Sequence, residues 1–237
     1  MKRVCVLTGA SGLLGNAFIR KFREDYEIIA IHHRHALAVP TQDDLSVDPI
    51  NPRAKQSPVQ NAIFALRADI TKDEVVRNIV RSIINRFGRI DILVNAAAYR
   101  CWLPLLEARD RSNIEFEFRV NTIAPICLAV EIAHQFWRFC VNDNLLNNRN
   151  VVNVSSTAGL YVYPDLGQTW YSASKAALNI AGYHLASEFW DLGVRVNTIA
   201  PNSFPSHVST AEVLTKIVEF DRSSETGQLA VLNGRVQ

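Results

Sequence analysis

Tyr171 and Lys175 stand four residues apart at the start of a helical stretch, Tyr171-Ser172-Ala173-Ser174-Lys175, and so share one face of it. An ammonium near a phenol favours the phenolate and brings its proton exchange closer to neutral pH than the free value of about 10. Such a pair can act as acid or base on a substrate oxygen, although the same spacing also occurs in ordinary amphipathic helices. Upstream, the apolar run Val151-Val152-Asn153-Val154 ends in two hydroxyls, Ser155 and Ser156. Parallel strands present their C-terminal ends to a ligand crevice, so Ser156 either faces the same pocket or bonds to backbone in the following turn.

A second constellation lies at the start of the chain, Thr8-Gly9-Ala10-Ser11-Gly12-Leu13-Leu14-Gly15, between a strand and a helix. Glycines there let the backbone turn sharply and approach a pyrophosphate, whose charge the free N–H groups of the helix start attract. The alternative is a tight turn with no ligand. The next strand ends in His32-His33-Arg34, with no acidic residue. An acid at that point would accept from the 2′-hydroxyl of NAD, whereas an arginine pairs with the 2′-phosphate of NADP. Arg34, helped by His33, therefore marks NADP(H) over NAD(H), unless it is simply a solvated loop arginine. Asp69, followed by Ile70, is either a strand-end carboxylate at the adenine or the N-cap of the next helix, with Thr71 competing for that cap.

The elements that must position these residues alternate from end to end. Apolar runs predict strands over 3–7, 27–32, 63–66, 90–95, 151–155, 194–199 and 229–232, and amphipathic stretches predict helices over 13–23, 73–87, 111–139, 171–190 and 211–220. The helix over 111–139 is expected to kink near Pro125. Short buried strands alternating with helices imply an α/β fold: a Rossmann-like doubly wound parallel sheet of about seven strands, covered by helices on both faces as a three-layer sandwich. Residues 34–61 hold four prolines and read as a long surface loop, and the asparagine-rich stretch 142–150 reads as an exposed turn.

Composition bounds the rest. The chain has 237 residues, 48% of them hydrophobic and 20% charged, enough for one sizeable core in a single domain spanning 1–237. That excludes a disordered chain and a disulfide-rich miniprotein. A net charge of +2 favours neither nucleic acid nor an anionic membrane as partner. Cys5, Cys101, Cys127 and Cys140 have no metal-ligand spacing and read as reduced thiols of a cytoplasmic protein, so no metal is expected. Met1-Lys2-Arg3 followed by apolar residues 4–7 resembles a secretory leader, but the apolar stretch is too short, and no run approaches the roughly 20 residues of a membrane span.

Taken in order, the motifs resemble the short-chain dehydrogenase/reductase family, in its compact single-domain branch that includes 3-oxoacyl-carrier-protein reductases. The series runs from Gly9, Gly12 and Gly15 through Asp69, the stretch 87–95, Asn121, Ser156, Tyr171 and Lys175 to Val196-Asn197-Thr198-Ile199-Ala200-Pro201 and Thr226-Gly227-Gln228. The resemblance implies that Tyr171 protonates the developing alkoxide during carbonyl reduction, or takes the proton in reverse. It implies that Lys175 lowers the pKa of Tyr171 and holds the nicotinamide ribose, that Ser156 orients the substrate oxygen, and that Asn121 anchors a water leading from Lys175 to solvent. Asn95, Ala96 and Ala97 would line the adenine-ribose side, and Pro201 and Ser206 the nicotinamide side.

The chain departs from that family pattern at four places. Its glycine turn is spaced G-x-x-G-x-x-G, its fourth strand runs into Asn95-Ala96-Ala97-Ala98 where Asn-Asn-Ala-Gly is usual, and Asn202 replaces the glycine after Pro201. Asn tolerates positive φ, so that turn is expected to survive. Only residues 207–210 separate Ser206 from the next helix, a remnant that lacks roughly twenty residues of the usual substrate lid. An open cleft suits a bulky or carrier-tethered substrate, with cover supplied by 99–106, by 161–170 or by a partner subunit. Tyr99, Trp102, Tyr161, Tyr163 and Trp170 either wall that cleft or pack locally.

The resemblance implies an NADPH-dependent reductase of a ketone or β-keto thioester. A non-catalytic dinucleotide sensor or scaffold and an epimerase or dehydratase on the same fold are the alternatives. It also implies a homodimer or homotetramer built on the helices over 111–139 and 171–190, with Phe136, Trp137, Phe139, Phe189 and Trp190 as candidates for interface or core. Arg100, Arg109, Arg111 and Arg119 form either a basic rim for an acidic carrier or a solvated face.

Overall fold

In the computed structural model, residues 2–43, 45–46, 57–58, 63–107, 112–164 and 166–234 are described, those at 45–46 and 57–58 by backbone alone. The first two strands are β1 (Arg3–Thr8) and β2 (Tyr26–His32), joined by helix α1 (Leu13–Phe22). A separate antiparallel pair, β3 (Leu45–Ser46) and β4 (Ser57–Pro58), lies inside the stretch expected to be a loop, half of which is outside the described residues. The chain continues through β5 (Phe64–Arg67), α2 (Asp73–Phe87) and β6 (Ile92–Asn95) to α3 (Ser112–Phe118) and α4 (Ala124–Gln135). Then come α5 (Val141–Leu146), β7 (Asn150–Val154), α6 (Thr169–Glu188), β8 (Arg195–Pro201), α7 (Thr210–Arg222) and β9 (Leu229–Leu232).

Seven of these strands form one parallel sheet in the order β5-β2-β1-β6-β7-β8-β9. The direction of winding reverses at β1, which pairs with β2 on one side and β6 on the other. Because side chains alternate along a strand, Val4 and Val6 pack with α2, α4 and α6 on one face, while Cys5 and Leu7 pack with α1 and α7 on the other. All strands point the same way, so every C-terminal end opens on one edge of the sheet. That edge, at the reversal point, is where such a fold leaves a crevice.

The expected long helix over 111–139 is broken. Between α3 and α4 the segment Arg119–Ile123 forms a π turn, with the Ala124 amide bonded to the Arg119 carbonyl five residues back. Pro125 has no N–H to give to Asn121, so the α-helical ladder cannot continue through that point. After α4 the chain tightens into a single 3₁₀ turn, Trp137–Phe139. Its Trp137 is buried against Phe189 with ring centroids 6.2 Å apart, whereas Phe139 and Trp190 are both 69% exposed.

The stretch 142–150 is not an exposed turn. It folds as α5, a short turn at 147–148 and the first residue of β7, with Asn144, Asn148 and Asn150 engaged on backbone carbonyls that are at least partly withdrawn from water. Asn144 donates to the carbonyls of Trp137 and Leu192, both at 2.7 Å. Asn148, at φ 53°, donates to the carbonyls of Asp221 and Ser223.

Two buried carboxylates hold this closed end of the sheet. Asp91 accepts from the Val4 amide and from Arg89 and Arg149. Asp221 accepts from Arg3 at 2.9 Å, Tyr26 at 2.7 Å and Asn150 at 2.8 Å. Removing a buried, fully used charge strands its partners, so Asp221→Ala should cost about 3 kcal/mol or more in urea denaturation. Lys216→Ala, which removes a more exposed ion pair with Glu219, should cost less than about 1 kcal/mol.

Candidate active site

A cleft of about 570 Å³ opens at the C-terminal edge of β1, β2, β6, β7 and β8. Its floor is the turn from β1 into α1. Gly9 sits at φ 67°, and a Cβ there would lie 2.7 Å from the Ala96 carbonyl oxygen and from the Ala97 nitrogen. A Cβ on Gly15 would lie 2.4 Å from the Gly9 oxygen. Only glycine fits at either position, and the unusual spacing of the motif therefore still closes the turn. Gly12 caps the start of α1, and a Cβ added to it would meet only the Gly9 oxygen, at 3.2 Å. The amides of Leu13, Leu14 and Gly15 have no carbonyl within the helix to bond to and, with Ser11, lie along the cleft. This cradle fits the pyrophosphate of a dinucleotide.

His33 and Arg34 are exposed on the lip beyond β2, and the Arg34 guanidinium lies 5.8 Å from the Phe116 ring. Asp69 and Ile70 line the same end. Asp69 does not cap α2, whose N-cap is Lys72. Its Oδ1 accepts instead from the Thr71 hydroxyl at 2.7 Å and amide at 3.0 Å. Burial disfavours the charge, but those two bonds outweigh it and hold the Asp69 pKa below the usual carboxylate range.

Ala96 and Ala97 reach the cleft because Thr8 Oγ1 accepts from both their amides at 3.1 Å. Asn95 does not line it. Its side chain is buried within the sheet and donates to Asn153 Oδ1 at 2.9 Å, since a strand's last inward position belongs to the core. Pro201 lines the opposite wall, followed by Asn202, Ser203 and Phe204. Asn202 does not use a positive φ, so the turn survives by another route than expected. Ser206 lies outside the cleft. A turn closed by the His207 amide on the Ser203 carbonyl at 2.7 Å carries it to the surface, and Ser203 takes its place at the wall.

At the far end Ser156, Tyr171 and Lys175 come together. Ser156 does both things considered for it: it lines the cleft, and its Oγ accepts from the Ala158 amide at 3.1 Å. Lys175 is 1% exposed, with Nζ donating to the Val154 carbonyl at 3.0 Å and lying 6.0 Å from the centre of the Tyr171 ring. Burial lowers the Lys175 pKa to about 8, a drop that Glu117 opposes and Arg100 reinforces. The Tyr171 hydroxyl is raised, not depressed. Burial pushes it up, the nearby Ser156 hydroxyl and the Arg100 charge pull it down, and Glu117 raises it. Asn121 lies beside the pair but off the cleft, its side chain wholly engaged by the Tyr99 amide and carbonyl at 2.8 Å and by Ser174 Oγ at 3.0 Å.

The rim is made by the two loops expected to replace the lid. The Leu103 amide donates to the Gly167 carbonyl at 2.8 Å and joins them. Tyr99, Trp102 and Tyr163 face the cleft, while Tyr161 and Trp170 do not line it. Arg100 also lines it, with its guanidinium 5.6 Å from the Trp102 ring, whereas Arg119 is exposed and Arg109 and Arg111 fall outside the described residues. The residues 207–210 run straight into α7, with Ser209 as its N-cap. Phe116, Gln168 and the buried acid Glu117 belong to this neighbourhood too, and no motif in the sequence singles them out.

A doubly wound parallel sheet with a glycine cradle at its reversal point, and a tyrosine and lysine across the same cleft, defines a dinucleotide-dependent oxidoreductase. The sequence profile described as "short chain dehydrogenase" matches residues 3–216. The protein belongs to that family and is an NAD(P)-dependent enzyme acting on CH–OH or C=O groups. Among its relatives is a diacetyl reductase [(S)-acetoin forming] of Staphylococcus epidermidis, 25% identical over 232 residues, covering 96% of this chain and 80% of that one. The fold is shared with 4-hydroxyisoleucine dehydrogenase complexed with NADH and succinate, with a TM-score of 0.74, 24% identity and coverage of 97% and 98%. It is also shared with ElxO with NADP bound, at a TM-score of 0.76, 21% identity and coverage of 99% and 98%.

The cradle is sensitive to single methyl groups. Gly15→Ala should destabilise the fold by about 1–3 kcal/mol in thermal melts and weaken dinucleotide binding in calorimetric titration. Gly12→Ala, whose added carbon meets one oxygen at 3.2 Å, should be milder in the melts.

Proposed function

We propose that the protein is an NADPH-dependent carbonyl reductase that converts a ketone or β-keto thioester to the alcohol. The observation that carries this reading is the meeting of Ser156, Tyr171 and Lys175 at one end of the cleft, with the glycine cradle at the other end. When bound, the dinucleotide supplies the hydride. Ser156 and Tyr171 then form a two-donor site for the carbonyl oxygen, and Tyr171 gives its proton to the alkoxide as charge develops there. The raised Tyr171 keeps that proton at neutral pH until the oxygen becomes basic enough to take it. Lys175 supplies positive charge that stabilises the resulting phenolate, and the clamped Asn121 fixes α3 and α4 against α6.

NADPH over NADH is supported by Arg34 on the lip of β2 and by the lack of any acid at His32-His33-Arg34. The aromatic side of the cleft, with Tyr99, Trp102 and Tyr163, supports a substrate with an apolar body. Exposed Ile180, Tyr183 and Trp190 on and just after α6 support a homo-oligomer built on that helix. The chain has no described helix long and apolar enough to cross a membrane, and a cytoplasmic reductase accords with its free thiols.

Tyr171→Phe should lower kcat on a carbonyl substrate by about 10²–10⁴-fold while leaving NADPH binding, followed by fluorescence titration, unchanged. Undiminished turnover would overturn the assignment. Arg34→Leu should weaken NADPH about tenfold or more and leave NADH nearly unaffected. Equal losses for both would remove Arg34 as the 2′-phosphate ligand.

A further inference from the structure

Glu117 is a carboxylate with no access to solvent, 0% exposed, in the interior turn of α3 one helical turn before Asn121. A glutamate in such a place is costly unless its oxygens are used. One is: Oε1 accepts from the Cys101 amide at 3.0 Å. The other, Oε2, is buried and has no hydrogen-bond partner among the described residues. A carboxamide would serve the Cys101 amide equally well and would carry no charge, so holding that loop does not account for an acid.

The neighbouring charge accounts for it. Lys175 on α6 is buried with a single hydrogen bond, to a neutral carbonyl, and it has no ion-pair partner among the described residues. Asn121, one turn after Glu117, donates to Ser174 Oγ at 3.0 Å, which sets the end of α3 against the part of α6 that carries Lys175. Among the described residues the charges that act on Lys175 are Glu117 and Arg100, of which only Glu117 is negative. Tyr171, on the same helix as Lys175, is influenced by the same two side chains, together with the Ser156 hydroxyl.

We infer that Glu117 is a positioning residue of this active site, the buried counter-charge that keeps the Tyr171–Lys175 pair fully protonated. The inference rests on the reading of that pair as the proton-transfer machinery. Its sign does not depend on which of the two groups loses the first proton. The protonated pair carries one positive charge more than the singly deprotonated pair, and a fixed negative charge nearby stabilises the more positive state in either case. Removing Glu117 therefore makes the first proton easier to lose. In the reductive direction, where the protonated pair is the working form, activity would then fall off at lower pH. Burial drives the Lys175 ammonium toward that failure, and Glu117 opposes it. Burial in turn raises the Glu117 carboxyl, while the Cys101 amide and the Lys175 charge hold it down.

Glu117→Gln preserves the shape and the acceptor for Cys101 while removing the charge. The basic limb of the kcat/KM profile for NADPH-dependent reduction should move down by about one pH unit. In the cofactor-free protein, the Lys175 ammonium followed by heteronuclear NMR should titrate lower by a similar amount. A purely structural role predicts instead an equal loss of activity at all pH values, with both titrations unmoved, and that result overturns the inference. Coupling is reciprocal, so Lys175→Met, which replaces a buried charge by an apolar side chain, provides a test that does not need the Glu117 variant to fold. The Glu117 carboxyl resonance should titrate higher in it, and an unmoved carboxyl overturns the inference as well. Tyr171→Phe, assayed alongside, separates the two levels. If it still turns over, the reading of the pair fails. If it is inactive while the Glu117→Gln limb stays in place, only the counter-charge fails.

Discussion

The Lys175 ammonium is taken almost wholly out of water with one hydrogen bond to a carbonyl, and that arrangement constrains everything around it. Taking such an ion out of water costs several kcal/mol even after relaxation, and the cost must be offset by dipoles and charges held in place by the fold. Strand β7 provides the first, ending so that the Val154 carbonyl points at Nζ. The turn after it packs so tightly on α6 that a Cβ on Gly159 would lie 2.7 Å from the carbonyl carbon of Lys175. Helix α3 provides the only negative charge acting on it among the described residues, Glu117. The result is a cation that burial has brought to about pH 8, poised within reach of physiological proton exchange.

The π turn before α4 is part of the same arrangement. It places Asn121 where both ends of its amide clamp Tyr99, and where its Nδ2 also meets Ser174 Oγ. Thr122 adds a bond to the Ser174 carbonyl at 2.8 Å. Helices α4 and α6 are thereby fixed to one another directly beneath the reacting groups. A regular helix through Pro125 would have lacked one hydrogen bond without gaining this clamp.

The two ends of the sheet divide the labour. At the closed end, Asp91 and Asp221 use most of their acceptor capacity on arginines, amides and Tyr26, and bind the strand starts into a rigid base. At the open end the loops keep polar groups along the cleft: amides at the start of α1, Arg100 on the rim against Trp102, and hydroxyls at Ser156 and Tyr171. With only three residues between Ser206 and α7, cover over this end comes from two loops tied through Leu103 and Gly167. Leu106 and Val162 on these loops are 95% and 92% exposed, an apolar rim around a polar reaction centre.

Local patterning was enough to make the sheet, its helices and the ordered motifs legible, because strand alternation and the glycine turn are dictated by neighbours in sequence. The conformational need for Gly9 and Gly15, the pairing of Tyr171 with Lys175 and the lack of an acid after β2 could all be read in this way. What the sequence left open were partners far apart in the chain. Asn95 was assigned to the cleft but belongs to the core, since a strand residue's face depends on which strand lies beside it, here Asn153 on β7. The asparagines of 142–150 read as a polar turn until the backbone of Trp137, Leu192 and Asp221 was seen to need them. Ser206 kept the family spacing yet lies outside, because the turn before α7 redirects it. Glu117 carried no motif at all. A charge matters here through what it is buried beside, and burial is a property of the packed chain that no stretch of sequence contains.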